Sequence, residues 1–243
     1  MSDGPQQGAA PVGGAMARDR AALLAAALPH AAFDGWPIAF EQAIADCAFD
    51  AGHAELVFPN GAADLVGYFW QSMDGALADR LAACLRDGMG ISERVGIALR
   101  EYIALLAPHR EAVRRAMAFQ ALPHNAAGAA RALYGTVDTI WRAVGDTSTD
   151  FNFYTKRLTL AAVVAATLTH WLAQQPTGDD AADAAAIGAF IDRRLVDVLR
   201  VEKLKAQARG LAARLPDPLR LLGQIGGLRG GFAGPGPGRG RPG

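Results

Sequence analysis

An all-α fold is what the 243-residue sequence predicts. Three observations carry that prediction. Ala, Leu and Arg recur at helical spacing, strand signals are weak throughout, and turn-forming residues divide the chain at intervals suited to helices. The length allows one sizeable core plus tails. The 24 basic and 24 acidic side chains balance, which excludes a general attraction to nucleic acid or to an anionic membrane. Cys47 and Cys84 stand apart from any metal-ligand spacing and form no disulfide framework, so both read as small core residues in a reducing compartment.

Punctuation falls at Asp34-Gly35, Pro59-Asn60-Gly61, Gly88–Gly90, Pro108, Leu122–Asn125, Gly145-Asp146 and Pro176–Gly178. It predicts about eight helices, over 18–29, 36–51 with a short piece at 53–57, 62–87, 91–106, 109–121, 126–144, 149–175 and 180–209. Residues 1–17 are expected to be a disordered leader. They lack the apolar run of a signal peptide and are poor in the Arg and Ser of a mitochondrial transit segment. The expected compartment is therefore a bacterial cytoplasm. Residues 18–61 form a head, 62–209 a body, and 210–243 a basic tail segment.

Between Trp36 and Trp70 the chain reads WPIAFEQAIADCAFDAGHAELVFPNGAADLVGYFW. A helix through Ala43-Ile44-Ala45, a turn at Ala51-Gly52, a short helix and a longer one after Phe58 resemble the helix-turn-helix head of tetracycline-repressor-type regulators. That resemblance implies a tetracycline-repressor-like helical bundle, with a ligand-binding and dimerising body behind the head. The charges oppose a working DNA head. Glu41, Asp46, Asp50, Glu55 and Asp64 stand in this stretch without one Lys or Arg, whereas affinity for a duplex comes mainly from cations that displace counterions. The head reads as degenerate and kept for packing. A ligand-responsive regulator is the alternative function, with its cations supplied from elsewhere, such as the Arg-rich tail.

Catalytic patterns are not found. A di-iron carboxylate bundle needs Glu-x-x-His repeats, and none of the six glutamates has a His three residues later. The five histidines form no metal-ligand spacing, and there is no phosphate loop, dinucleotide fingerprint or nucleophile elbow. The expectation is a protein with no catalytic residue, no metal and no cofactor. An enzyme acting on a substrate-borne metal stays as a third possibility.

The most apolar stretch, LTLAAVVAATLTHWLA at 158–173, is shorter than the roughly 20 residues of a membrane span and reads as a core or dimer helix. Further on, six arginines face one aspartate between 209 and 243. Pro218 can open a helix there in which Leu221, Leu222, Ile225 and Leu228 share a face flanked by Arg220 and Arg229. Such a helix can lie in a bilayer interface or dock on the protein's own core, and both readings stay open.

GDTSTDFNFYTKR, at 145–157, holds three aromatics and two cations around one helix start. Gly145 suits a left-handed C-terminal cap of the preceding helix, Thr147 or Thr149 can cap the next one, and Asp150 completes a Thr-x-x-Asp capping box. In helical register Phe151, Tyr154 and Leu158 share one stripe, and Phe153, Arg157 and Leu160 another. One stripe can serve the core, leaving an aromatic near the surface beside a guanidinium, as at a protein–protein contact. Burial of both stripes is the other reading.

This stretch resembles the signature of the accessory lipid-binding proteins of coenzyme Q (ubiquinone) biosynthesis, a family with the tetracycline-repressor fold. Asp34-Gly35-Trp36, Leu56–Gly61 and Leu122–Asn125 match in the same order, as does Val137-Asp138 with Ile140-Trp141. The resemblance covers roughly residues 18–209. It implies a non-enzymatic homodimer, without a role in nucleic-acid binding, that takes an isoprenoid lipid or ubiquinone precursor into a helical cavity. It further implies docking on a ring hydroxylase of the ubiquinone pathway at the membrane surface. Carried over, Asp138, Ile140, Phe153, Tyr154 and Arg157 would bind that partner, and Leu219, Leu222, Ile225 and Leu228 the membrane. Phe69, Leu99, Leu133, Val137 and Trp141 are the expected lipid-binding residues, and the expected site of action is the cytoplasmic face of a bacterial inner membrane. The chain departs from the family at Phe153, where Trp is usual, and Phe buries less area and lacks the indole donor. An aromatic usual in the last long helix is also replaced near Ile187.

Overall fold

The computed structural model describes residues 12–145 and 151–212, without the side chains of 12, 13, 151–154, 199 and 201–212. Its described residues hold nine α-helices and no strand: α1 (Val12–Asp34), α2 (Trp36–Asp46), α3 (Ala51–Val57), α4 (Ala62–Cys84), α5 (Ile91–Leu106), α6 (Arg110–Gln120), α7 (Ala126–Ala143), α8 (Phe151–Ala173) and α9 (Asp180–Ala212). One compact unit ends at Val196 and a second begins at Asp197, with α9 running through the division. In the first unit α1 packs on α2 and α6, α4 on α5 and α7, and α7 on α8.

Helix boundaries differ from expectation where tertiary contacts or capping outweigh propensity. The first helix was expected to stop at Pro29, yet α1 continues to Asp34 with Pro29 inside it. Leu23, Leu24, Ala27 and Ala31 are all buried, and that continuous apolar stripe offsets the roughly 3 kcal/mol a proline costs in a helix interior. The expected helix over 36–51 ends at Asp46 instead. Asp50, in extended conformation, accepts the His53 amide at 2.7 Å and so caps α3. The turn between the two helices places Ala48 at φ 53, a conformation that costs an L-residue about 1 kcal/mol.

The collinear motifs sit at helix junctions. Gly35, at φ 81, turns the chain from α1 into α2 and delivers Trp36 to the core. Trp36 is fully buried, donates its indole N–H to the Ala112 carbonyl of α6 at 3.0 Å, and lies 5.3 Å from the Phe69 ring of α4. In the Leu56–Gly61 motif Val57 and Phe58 are buried, while Asp64 accepts the Asn60 amide at 2.8 Å. Asn125 donates to the Phe119 carbonyl at 2.9 Å and closes the end of α6. Gly145 has φ 80 and donates to the Arg142 carbonyl, the C-terminal cap expected from the sequence. At the far end of α8, Arg110 donates to the Trp171 and Gln174 carbonyls and Arg114 to Leu172, so two cations of α6 satisfy its last turn.

Candidate functional site

The first unit contains a cavity of about 230 Å³, open to solvent on one side and bounded by α4, α5, α6, α7 and α8. Small residues create it: Ala129 and Ala132 of α7 and Ala165 of α8 leave room between helices that larger side chains would fill. Leu133, Met117, Val164 and Leu168 complete an apolar wall, and Trp70 closes one side.

Of the five residues expected at a lipid site, Leu133 lines this cavity. Phe69, Leu99, Val137 and Trp141 are buried elsewhere in the packing, and helical spacing alone does not separate a core-facing position from a cavity-facing one. Phe69 lies between Trp36 and Trp70, tilted against both rings, with centroid distances of 5.3 and 5.1 Å. Trp141 lies beneath the Lys156 ammonium, 6.0 Å from the ring centre.

Polar groups in this cavity are few. Gln120 accepts the Trp70 indole N–H at 3.0 Å through its amide oxygen. Since indole only donates, that bond fixes the amide orientation and leaves its NH₂ for the cavity Gln120 lines. Tyr102 and Thr136 also line the wall, and their hydroxyl oxygens are 3.2 Å apart. Thr136 donates in turn to Asp74 of α4 at 2.7 Å. Burial pushes the Asp74 carboxyl up to about 7, which the Thr136 bond only partly opposes. Burial, with Asp74 nearby, likewise drives the Tyr102 phenol far above its ordinary range. Gly135 gives the carboxyl room, because a β-carbon there would lie 3.1 Å from an Asp74 oxygen and crowd it. These residues were not singled out from sequence; an aspartate inside the apolar stripe of a helix, at Leu65, Phe69, Trp70, Asp74, Leu77 and Leu81, is the signal that could have found them.

A second group of residues lies where α7 meets α8. Asp138 accepts Arg157 at 3.0 Å and Arg142 at 2.7 Å. The Arg157 side chain is only 10% exposed, so the guanidinium expected at a contact surface is instead a buried link between two helices. Ile140, also expected at the docking face, is fully buried and supports that face from beneath. The side chains of Phe153 and Tyr154 lie outside the described residues. Leu158 and Leu160 separate the two stripes: Leu158 is 75% exposed and Leu160 is buried. Tyr134, one turn before Asp138, is 55% exposed.

Leu219, Leu222, Ile225 and Leu228, expected at a membrane, lie outside the described residues. No helix among the described residues is long and apolar enough to cross a membrane. No group of three or more His, Cys, Asp or Glu side chains among them could hold a metal ion.

Residues 126–202, which run from α7 into α9, match the COQ9 family. "Ubiquinone biosynthesis protein COQ9, mitochondrial" of Drosophila melanogaster is 28% identical over 199 residues, 79% of this chain and 59% of that protein. The Homo sapiens protein of the same name is 30% identical over 118 residues, 49% of this chain and 36% of its own length. The chain thus spans less than two thirds of the curated relatives it matches. The crystal structure of the TetR transcriptional regulator from Nitrosomonas europaea ATCC 19718 superimposes with a TM-score of 0.58 at 17% identity, over 73% of this chain and 95% of that one. The fold is therefore the tetracycline-repressor-like all-α bundle that the sequence predicts. The expected compartment is corrected: the relatives are named mitochondrial and come from eukaryotes, against a bacterial cytoplasm and inner membrane.

Proposed function

We infer, from the match of residues 126–202 to the COQ9 family, that the chain is a non-enzymatic, lipid-binding accessory protein of ubiquinone biosynthesis. The observation that carries this reading is the apolar-lined cavity between α4 and α8, open at one side, since a concave and mostly apolar site is the kind that takes up a small hydrophobic ligand. An apolar portion of an isoprenoid quinone precursor occupies it. Burial at roughly 25 cal/mol per Å² supplies useful affinity without polar contacts, even after the costs of association.

Presentation to a ring hydroxylase falls to the α7–α8 face. Tyr134 of α7 and Leu158 of α8 are exposed, and the Asp138–Arg157 pair ties their two helices together, so exposed apolar and aromatic side chains of the kind partners use stand on a fixed frame. The basic segment after residue 209 rests on the membrane surface, and the working unit is a homodimer.

Native mass spectrometry of the protein from its own host, followed by lipid extraction, tests the carrier. A co-purifying quinone precursor or other isoprenoid is the expected result. Clean apo-protein from several gentle preparations would remove the carrier mechanism.

A further inference from the structure

The Asp74–Thr136–Tyr102 chain has a consequence for what the cavity can recognise. We propose that the Tyr102 hydroxyl is the polar anchor of the cavity, and that the relay through Thr136 to Asp74 decides whether this anchor accepts a hydrogen bond from a ring hydroxyl or donates one to a ring carbonyl. The proposal rests on reading this cavity as the ligand site.

Hydrogen counting gives the direction. Thr136 has one hydroxyl hydrogen and three neighbours: Asp74 Oδ1 at 2.7 Å, Tyr102 Oη at 3.2 Å and the Ala132 carbonyl at 3.3 Å. A carboxylate is the strongest acceptor of the three and also the nearest, so it takes that hydrogen. Tyr102 then donates its own hydrogen to Thr136 Oγ1. Only lone pairs of the phenol oxygen remain for the cavity, and they suit a ligand hydroxyl. With a proton on Asp74 the chain can run the other way. Asp74 donates to Thr136, Thr136 to Tyr102, and the Tyr102 hydrogen is released toward a ligand carbonyl. One proton on a residue outside the apolar wall thus switches the wall from acceptor to donor.

Three observations support the switch. Tyr102 and Thr136 are each only 2% exposed, so their hydroxyls bond to one another and to Asp74 and not to bulk water. Burial brings Asp74 to about 7, where both of its states exist near neutrality. The cavity, at about 230 Å³, is larger than the engineered void of about 150 Å³ that takes up benzene, so it accepts one substituted ring. On its other side Asp74 borders a groove lined by Arg20 of α1, Asp64 and Tyr68 of α4 and Arg131 of α7. Protons therefore reach it without crossing the ligand.

The test uses the purified full chain and three small probes of similar size: 4-ethylphenol, ethylbenzene and acetophenone. Titration calorimetry on wild type is expected to show 4-ethylphenol binding about tenfold more tightly than ethylbenzene. Tyr102→Phe is expected to abolish that preference while leaving ethylbenzene binding unchanged, which also certifies the variant's fold. Between pH 6 and pH 8 the preference for 4-ethylphenol over acetophenone is expected to rise in wild type and to stay flat in Asp74→Asn. Equal binding of 4-ethylphenol and ethylbenzene, unaltered in Tyr102→Phe, would overturn the anchor and leave the carrier reading standing. A preference that ignores pH in wild type would overturn the relay. Failure of all three probes to bind would overturn the anchor and take the cavity reading with it.

Discussion

Asp74 and Trp36 are the two side chains whose substitution says most about how the core is held. Asp74 is 8% exposed, with a folded-state pKa raised from 3.8 to about 7 by burial. Below pH 3.8 both folded and unfolded chains keep its proton. Between that pH and 7 the unfolded chain releases the proton and the folded one holds it, so stability falls as pH rises and levels off above 7. The expected size is on the order of a few kcal/mol. Guanidinium unfolding at several pH values should show this decline in wild type and a flatter profile in Asp74→Asn. Trp36→Phe keeps a ring in the core but removes the donor to the Ala112 carbonyl. Losing that second donor, while the carbonyl keeps its bond within α6, should cost about 1 kcal/mol, readable as a lower denaturant midpoint with unchanged slope. Neither role was visible residue by residue. Asp34-Gly35-Trp36 stood out as a motif, but its reason, an indole reaching the α6 backbone 76 positions away, needs the fold.

At the scale of elements, α7 and α8 are joined by Asp138 and Arg157, with side chains 17% and 10% exposed. Asp138→Ala removes a carboxylate that accepts a charge-assisted hydrogen bond from a nearly buried guanidinium and should destabilise by about 2 kcal/mol. Arg142, whose side chain is 80% exposed, pairs with the same carboxylate, yet Arg142→Ala should change stability by no more than about 0.5 kcal/mol. Thermal unfolding of the two variants side by side checks the contrast, and equal losses would show that the pair at Arg157 is not the joint. The head offers a second test. Its α2 and α3 carry acids without a Lys or Arg, and Arg20 of α1 is occupied with the Val57 carbonyl and the Phe58 ring. Binding to duplex DNA should be absent at about 50 mM salt, whereas a real binder would be captured there and lost steeply by about 200 mM.

For the whole molecule, the bundle trades packing density for a cavity. A ligand that binds only the folded chain stabilises it, by about 2.7 kcal/mol when present at a hundred times its dissociation constant. A rise in melting temperature with an isoprenoid phenol, and none with a charged analogue of equal length, is the outcome the carrier reading expects. The proposed docking on a hydroxylase belongs to this scale too, because it would draw on exposed side chains of two helices, Tyr134 of α7 and Leu158 of α8.

Much of the architecture was legible in the chain alone. Turn chemistry at Gly35, Gly61 and Gly145 marks helix ends through local backbone geometry, and helical periodicity marks the buried faces, so both survive without knowledge of neighbours. The missing cations of the head are likewise a matter of composition. Three things were decided only in three dimensions: that α1 passes through Pro29, that the Arg157 guanidinium is inside, and that the cavity wall holds Tyr102, Thr136 and Gln120 rather than Phe69 and Trp141. The physical reason is common to all three. Whether an apolar stripe faces a core, a void or a partner depends on the size of the side chains opposite, and those come from helices distant in sequence.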